Sequence, residues 1–413
     1  MTWMNKNMNK DIKIEYVAKS TEFVGIKIME NKVELRVPQV FRKDDTYKKD
    51  ILLFLKSISI AKTIDKENIR RGSNVIKNIW PFDSYLWIIK DYIENGCYYN
   101  REKVYSINNG KIEWKKTIKN TPIYSNGNLI YDKFVTSKMS ATNDVIAQIY
   151  QLCLKQSIDK IGWLFNYDIH IDVQQLISTK EMIYRIKNEL NSTFDDTKRL
   201  RFNHLLKILI NSEGDNIISK SYSYGIENYY YVYEKMIDSF FDGVEGDEKK
   251  KYDPNGYWKL NNKGLDKASS LRPDTILRKD DKTYILDAKM YQYGATHSIR
   301  DLPDTQSMQK QITYGDYVYN VLKDKNVRNV FILPYNKELI DFKEDYNAEY
   351  YLDENLAYIG YAYVDWRDDE EYLAHDLIHT FLIDFNYLLR RYRYKDNEVI
   401  DKLCEEIEGH LEI

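Results

Sequence analysis

Arg272-Pro273-Asp274-Thr275-Ile276-Leu277 and Tyr284-Ile285-Leu286-Asp287-Ala288-Lys289 are two strand-like runs joined by the charged turn Lys279-Asp280-Asp281-Lys282. The midpoint between Asp274 and Asp287 falls between Asp280 and Asp281, inside that turn. A regular hairpin then sets the two carboxylates opposite each other, with Cβ atoms about 5 Å apart. Lys289 lies two residues past Asp287, so its side chain leaves the same face of the strand. Two carboxylates and an ammonium therefore converge at one end of the hairpin.

Such a grouping has a definite chemistry. Neighbouring carboxylates repel, and without compensation one of them takes up a proton. A hard divalent cation relieves the repulsion, and Mg²⁺ commonly accepts one or two carboxylates while keeping water and phosphate oxygens in its shell. A lysine beside it can orient or deprotonate the attacking water, or stabilise charge on the phosphate. These are the requirements of metal-assisted phosphodiester hydrolysis.

Around the hairpin the pattern alternates. A helix is predicted over 229–241, then a long polar loop over 242–266, a helix over 305–322, strands over 327–333 and 357–364, and a long final helix over 370–394. This order implies an α/β domain with helices packed around a central mixed sheet. The preceding half reads as mixed α+β. Helices are expected over 51–64, 84–95, 143–165 and 179–210, and short strands over 104–136 are split by Asn108-Asn109-Gly110 and Ser125-Asn126-Gly127. A polar connector over 214–224 places the boundary between a domain over 1–215 and a domain over 216–413.

The 413 residues fit two or three domains. With 61 basic and 64 acidic side chains, the net charge of -3 gives no global signature of a nucleic-acid binder, though charge can still segregate onto one face. The 37 Tyr accompany many Ile, Lys and Asn, a bias that genome composition explains. Cys97, Cys153 and Cys404 are scattered and read as reduced thiols. The first residues are polar, and the most apolar stretch, 51–64, is interrupted by Lys56 and Lys62. These features lead us to expect a cytoplasmic protein with no membrane association.

Pro273-Asp274, the 13-residue spacing and Asp287-Ala288-Lys289 together resemble the PD-(D/E)XK nuclease signature. The resemblance implies that Asp274 and Asp287 are metal ligands, that Lys289 is the catalytic lysine, and that the sheet is restriction-endonuclease-like. It also implies a Glu from a preceding helix. Glu234 sits where that residue is expected, with Glu227 and Asp238 as competitors. The implied cofactor is Mg²⁺, with Mn²⁺ able to substitute, and the implied substrate is DNA. Related nucleases hold the phosphate with the helix that follows the hairpin, which nominates Gln309, Lys310 and Tyr314, together with Arg272. On that helix Met308, Ile312, Gly315, Tyr319 and Leu322 form the expected packing stripe, with Gln309, Lys310 and Tyr314 off it.

Two further stretches, 109–118 (Asn-Gly-Lys-Ile-Glu-Trp-Lys-Lys-Thr-Ile) and 302–317, resemble motifs of LlaJI-type restriction endonuclease subunits. Such subunits resemble McrC, the nuclease partner of a GTP-driven motor of the McrB type. The resemblance implies a subunit of a restriction or phage-defence system that works with a McrB-like NTPase, its N-terminal part docking on the motor. Cutting both strands needs two sites, so a homodimer or assembly around the motor is expected. The alternatives are a stand-alone type II-like endonuclease or resolvase, and a non-catalytic adaptor that stimulates a motor.

The remaining motifs are weaker. His375 and His379 have zinc-binding spacing on a helix, but the Glu of a zinc peptidase and a third ligand are missing, so a packed helix is expected. Arg70-Arg71-Gly72-Ser73, Lys249-Lys250-Lys251 and Arg390-Arg391-Tyr392-Arg393-Tyr394 are basic clusters, ordinarily solvated faces and at most phosphate contacts. No Gly-rich nucleotide loop is present in the sequence.

Overall fold

The computed structural model describes residues 11–18, 21–29, 32–41, 47–63, 80–120, 122–142, 144–165, 171–214, 221–261, 263–337, 351–353, 355–366 and 372–411. The chain forms two compact units. One is built from Ile79–Lys220, and the other from Asp11–Asn78 together with Ser221–Ile413. The expected single division at 215/216 lies close to where the chain re-enters the second unit. It misassigns the first strands, which belong with the C-terminal half.

The reason is a sheet shared between the two ends of the sequence. β1 (Asp11–Val17), β2 (Val24–Met29), β3 (Lys32–Pro38) and β9 (Ser221–Ile226) line up in the order β1-β3-β2-β9. β2 pairs antiparallel with β9 from Val24 opposite Ile226 to Met29 opposite Ser221. Lys32-Val33-Glu34-Leu35-Arg36-Val37 alternates strictly, burying Val33, Leu35 and Val37. Arg36, on the other face, meets Glu15 at 3.5 Å and Glu22 at 3.3 Å. That period-two signal is legible in the sequence itself. α1 (Tyr47–Ser57) is fixed to the C-terminal half by a buried carboxylate: Arg390 donates to both oxygens of Asp50 at 2.8 and 3.0 Å.

The larger sheet of this unit carries the hairpin. Its strands are β12 (Thr275–Lys279), β13 (Lys282–Ala288), β14 (Val327–Tyr335), β15 (Tyr351–Asp353), β16 (Leu356–Ala362) and β17 (Ile378–Asp384). They run in the order β12-β13-β14-β17-β16-β15. β13, β14 and β17 are parallel, while β12, β16 and β15 join antiparallel to their neighbours. Every residue of β14 and β17 is buried, as expected where both faces of parallel strands are covered. α6 (Tyr230–Phe240), α7 (Thr305–Asn320), α8 (Phe385–Arg391) and α9 (Asn397–Gly409) pack around the two sheets. The mixed α/β class is as expected.

The long final helix over 370–394 is not formed. Ile378-His379-Thr380-Phe381-Leu382-Ile383-Asp384 is the central strand β17, and the helix begins only at Phe385, capped by the Asp384 side chain. A short continuous apolar run fits a buried strand or a buried helix equally well, and the β-branched and aromatic content decides for the strand. His375 and His379 therefore do not share a helix face. His379 is buried on β17 with Nδ1 3.2 Å from the Tyr358 hydroxyl.

The other unit is a small helical bundle with a β module. α2 (Phe82–Asn95), α3 (Val145–Ile161), α4 (Thr179–Ser192) and α5 (Asp196–Gly214) form the bundle. The expected helix over 179–210 is thus two helices. Asp91, on α2, accepts from both Arg201 Nε and Nη2 at 2.8 Å and from Tyr150 Oη at 3.0 Å, all within this bundle. The β module holds β4 (Asn100–Ile107), β5 (Lys111–Ile112) and β8 (Val135–Thr142), plus the hairpin of β6 (Ile123–Ser125) and β7 (Asn128–Ile130). Among the described residues, no helix is long and apolar enough to cross a membrane.

Candidate active site

The hairpin register is the one the spacing demands. Lys279 pairs with Lys282 and Thr275 with Leu286, so the next opposed pair is Asp274 and Asp287. Asp280, with φ +51°, makes the tight turn. The main-chain N–H of Ala288 donates to Asp274 Oδ2 at 3.1 Å, which fixes one carboxylate against the other strand. Past the end of β13, Lys289 N–H still donates to Ile332 O at 2.9 Å. The lysine therefore stays in the sheet and leaves the same face as Asp287. Lys289 Nζ lies 2.6 Å from Asp287 Oδ2, and Lys310 Nζ of α7 lies 3.9 Å from Asp287 Oδ1.

Glu234 enters from α6. Burial first, then the charge of Asp287, pushes its carboxyl up to about 8, against the pull of Lys289 and Lys310. Asp274 is raised well above the carboxylate range by burial, then by Glu234 and Asp287. Burial pulls Lys289 down, but Asp287 more than offsets this through charge and hydrogen bonding, and the ammonium is held protonated. Three carboxylates and two ammonium groups thus share one small volume. Of the competitors, Asp238 is occupied elsewhere: Lys235 and Lys249 lie 2.9 and 3.0 Å from its oxygens, and Thr275 Oγ1 donates to it at 3.1 Å. Glu227 precedes α6 and is not on the helix that carries Glu234.

Asp287 is 1% exposed, and neither of its oxygens receives a well-aligned hydrogen bond among the described residues. Buried acceptors are ordinarily supplied with donors. A buried carboxylate set among two more carboxyl groups, with the Lys289 and Lys310 ammonium groups beside it, fits an oxygen-coordinated divalent cation. Asp274, Asp287 and Glu234 are the residues that would hold it.

The expected phosphate contacts divide. Lys310 is at the site, and Gln309 is exposed on α7. Arg272 is exposed, its Nε 4.0 Å from Asp253 Oδ2. Tyr314 is fully buried among Ile276, Ile285, Val318 and Val327, and its hydroxyl donates to Arg272 O at 2.8 Å. It braces the main chain two residues before Asp274 and has no free face for a phosphate. The packing stripe of α7 is correspondingly rotated: Gln311, Ile312, Tyr314, Gly315 and Val318 are the buried residues. Gln311 reaches into the sheet, donating to Ile285 O at 2.6 Å. Gly315 leaves no room for a side chain, since a Cβ there would come 2.6 Å from Asn329 Nδ2.

The basic clusters are mostly structural. Lys249 donates to Asp274 O as well as to Asp238, a support for the site that sequence reading missed because the lysine lies 25 residues away. Arg390 is bound to Asp50, and Arg391 lies 3.7 Å from Asp396. Residues 70–73 lie outside the described residues.

A mixed sheet whose first hairpin opposes two aspartates and adds a lysine two residues later is the arrangement of the PD-(D/E)XK nucleases. The LlaJI restriction endonuclease family matches residues 23–357, and the chain belongs to that family. Among solved structures, it is similar to a chain of the Thermococcus gammatolerans McrB AAA+ hexamers with bound McrC. There the identity is 15%, with 93% of this chain and 82% of that chain covered and a TM-score of 0.38. A second similarity is to a chain of the cryo-EM structure of the Thermococcus gammatolerans McrBC complex. It has 16% identity, covers 51% of this chain and 63% of that one, and has a TM-score of 0.19. No curated protein matches the sequence.

Proposed function

We propose that this chain is the metal-dependent DNA endonuclease subunit of a restriction system, acting with a McrB-like NTPase. The observation that carries the reading is the cluster of Glu234, Asp274 and the buried Asp287 against Lys289 and Lys310, set in a member of a restriction endonuclease family. Glu234, Asp274 and Asp287 would hold a Mg²⁺ ion, or Mn²⁺ in its place, which would supply Lewis-acid activation of the scissile phosphate and of water. Lys289 stays an ammonium through its contact with Asp287, which suits it to orient the attacking water and to stabilise charge on the phosphate. Lys310, partly exposed, offers a second cation to the phosphate. Tyr314 and Lys249 hold the main chain on either side of Asp274, and so hold the carboxylate itself.

A partner is supported separately by the β module. Ile107, Trp114, Ile118, Tyr124 and Leu129 are all more than half exposed. So many large apolar side chains in solvent fit a docking surface better than a free one. The chain carries no nucleotide-binding Gly-rich loop of its own, so the NTPase belongs to the partner.

The test is cleavage of methylated and unmethylated plasmid with Mg²⁺, alone and with the NTPase of the neighbouring gene plus GTP or ATP. Cleavage that needs partner and nucleotide, and that Asp287→Ala abolishes, supports the reading. Cleavage by the chain alone favours a stand-alone enzyme, with a homodimer supplying the second site. Motor stimulation without any cleavage favours the adaptor.

A further inference from the structure

The stretch 242–266 is expected from sequence to be a long polar loop, yet with the residue that follows it forms a projecting hairpin. Tyr257–Lys259 pairs antiparallel with Leu265–Lys267, and all six residues are exposed. Both faces of this ribbon are therefore bare. Trp258 is 66% exposed and Leu265 65%, with Tyr257 and Leu260 also in solvent. A lone two-stranded hairpin is marginally stable, and bare aromatic side chains on it contribute nothing to the core.

Its base is firmly tied. Ala268 N–H donates to Gly256 O at 2.8 Å, Leu271 N–H donates to Pro254 O at 2.9 Å, and Ser270 Oγ donates to Asn255 Oδ1 at 2.6 Å. Leu271 is three residues before Asp274, and the intervening Arg272 carbonyl is the one that Tyr314 holds. The hairpin is thus an arm rooted in the carboxylate cluster. At ~3.3 Å per residue, its three-residue return strand, Leu265–Lys267, spans about 10 Å. Its charge is positive: Lys259, Lys263 and Lys267 stand against Asp266, and Lys259 and Lys263 make no ion pair among the described residues.

We propose that this hairpin is a DNA-contacting finger, in which Lys259 and Lys263 meet backbone phosphates and Trp258 wedges against or between bases beside the cut. The inference rests on the nuclease reading of the adjacent site. A lysine beside exposed aromatic residues suits backbone attraction plus stacking, and apolar wedges entering a base step kink the duplex. A finger rooted beside Asp274 ties DNA distortion to placement of the scissile phosphate. An apolar protein groove as occupant would have no use for the lysines.

The experiment measures binding of the full chain to a fluorescein-labelled duplex in Ca²⁺, by anisotropy across a salt series, together with Mg²⁺ plasmid cleavage in the presence of the NTPase. Trp258→Ala is expected to weaken binding about tenfold with thermal stability little changed, because the side chain lies mostly in solvent; Trp258→Phe retains most of it. Lys259→Glu with Lys263→Glu should lower the slope of log affinity against log salt by about 2, close to 0.9 per phosphate contact. Wild-type binding that all the variants share, with cleavage intact, overturns the finger and leaves the nuclease reading standing. Loss of NTPase binding, with DNA affinity unchanged, also overturns it and makes the hairpin a protein contact. A wild type that neither binds nor cuts DNA overturns both.

Discussion

Asp274 and Asp287 face each other across the β12–β13 hairpin, and the Ala288 N–H donates to Asp274 Oδ2 at 3.1 Å. One carboxylate is thereby held by the other's strand. The two carboxyl groups are kept together by the hairpin register, and Lys289 and Lys310 offset their charge from the protein side.

That arrangement predicts metal-dependent stability. Millimolar Mg²⁺ or Mn²⁺ should raise the melting temperature of wild type by a few degrees, since ligand at about 100 times its dissociation constant adds ~2.7 kcal/mol. Asp287→Asn should remove the shift and the cleavage together. An undiminished shift in that variant, read by calorimetry, would place the metal elsewhere.

Lys289→Ala should lower cleavage by about 10²- to 10³-fold, the usual effect of removing a group aimed at developing charge. Lys310→Ala should cost less, about tenfold, because its Nζ is 3.9 Å from Asp287 and partly exposed. Single-turnover cleavage rates with saturating metal measure both. Equal losses would show that the two lysines are not distinguished by position.

Tyr314→Phe keeps the ring packed and deletes only the bond to Arg272 O, worth about 1 kcal/mol. We expect a small loss of stability and a five- to tenfold fall in cleavage rate with metal affinity reduced, because the main chain before Asp274 loosens. Unchanged metal titration in Tyr314→Phe would remove the tyrosine from the positioning of Asp274.

In the helical bundle, Asp91→Ala leaves Arg201, only 8% exposed, without its bidentate partner. Breaking such a buried pair costs about 3–5 kcal/mol. Urea unfolding followed by circular dichroism should show this as a lower midpoint for the bundle. A cost below about 1 kcal/mol would mean that the guanidinium finds solvent.

His379 is held down to about 4 by burial, with its Nδ1 beside the Tyr358 hydroxyl. The unfolded chain protonates this imidazole near its ordinary 6.5, and the folded chain does not until about 4. The unfolded state therefore binds the extra proton between these values, and stability falls as pH drops from 6.5 towards 4. His379→Gln should lessen that fall relative to wild type, in urea titrations at pH 7.5 and 5.0. Parallel curves for the two proteins would mean that the imidazole gains a proton without unfolding.

The candidate site was legible because it is local. Asp274, the turn and Asp287 lie within one hairpin, so a 13-residue spacing already fixes which carboxylates oppose, and Lys289 follows by strand alternation. Glu234 could be nominated from its helix, but only packing separates it from Asp238, which Lys235 and Lys249 occupy. What the sequence alone could not decide is set by contacts between distant segments. The strand nature of Ile378–Asp384 depends on β14 and β16 lying on either side of it, because a buried apolar run has the same pattern in a helix. The burial of Tyr314 depends on α7 turning that residue toward Ile276 and Ile285, a rotation its sequence stripe does not specify. The membership of β1–β3 in the C-terminal unit depends on Val24–Met29 finding Ser221–Ile226, nearly 200 residues on. Hairpin chemistry is written in neighbouring residues, whereas sheet order and helix rotation are chosen by which apolar surfaces the folded chain can bury together.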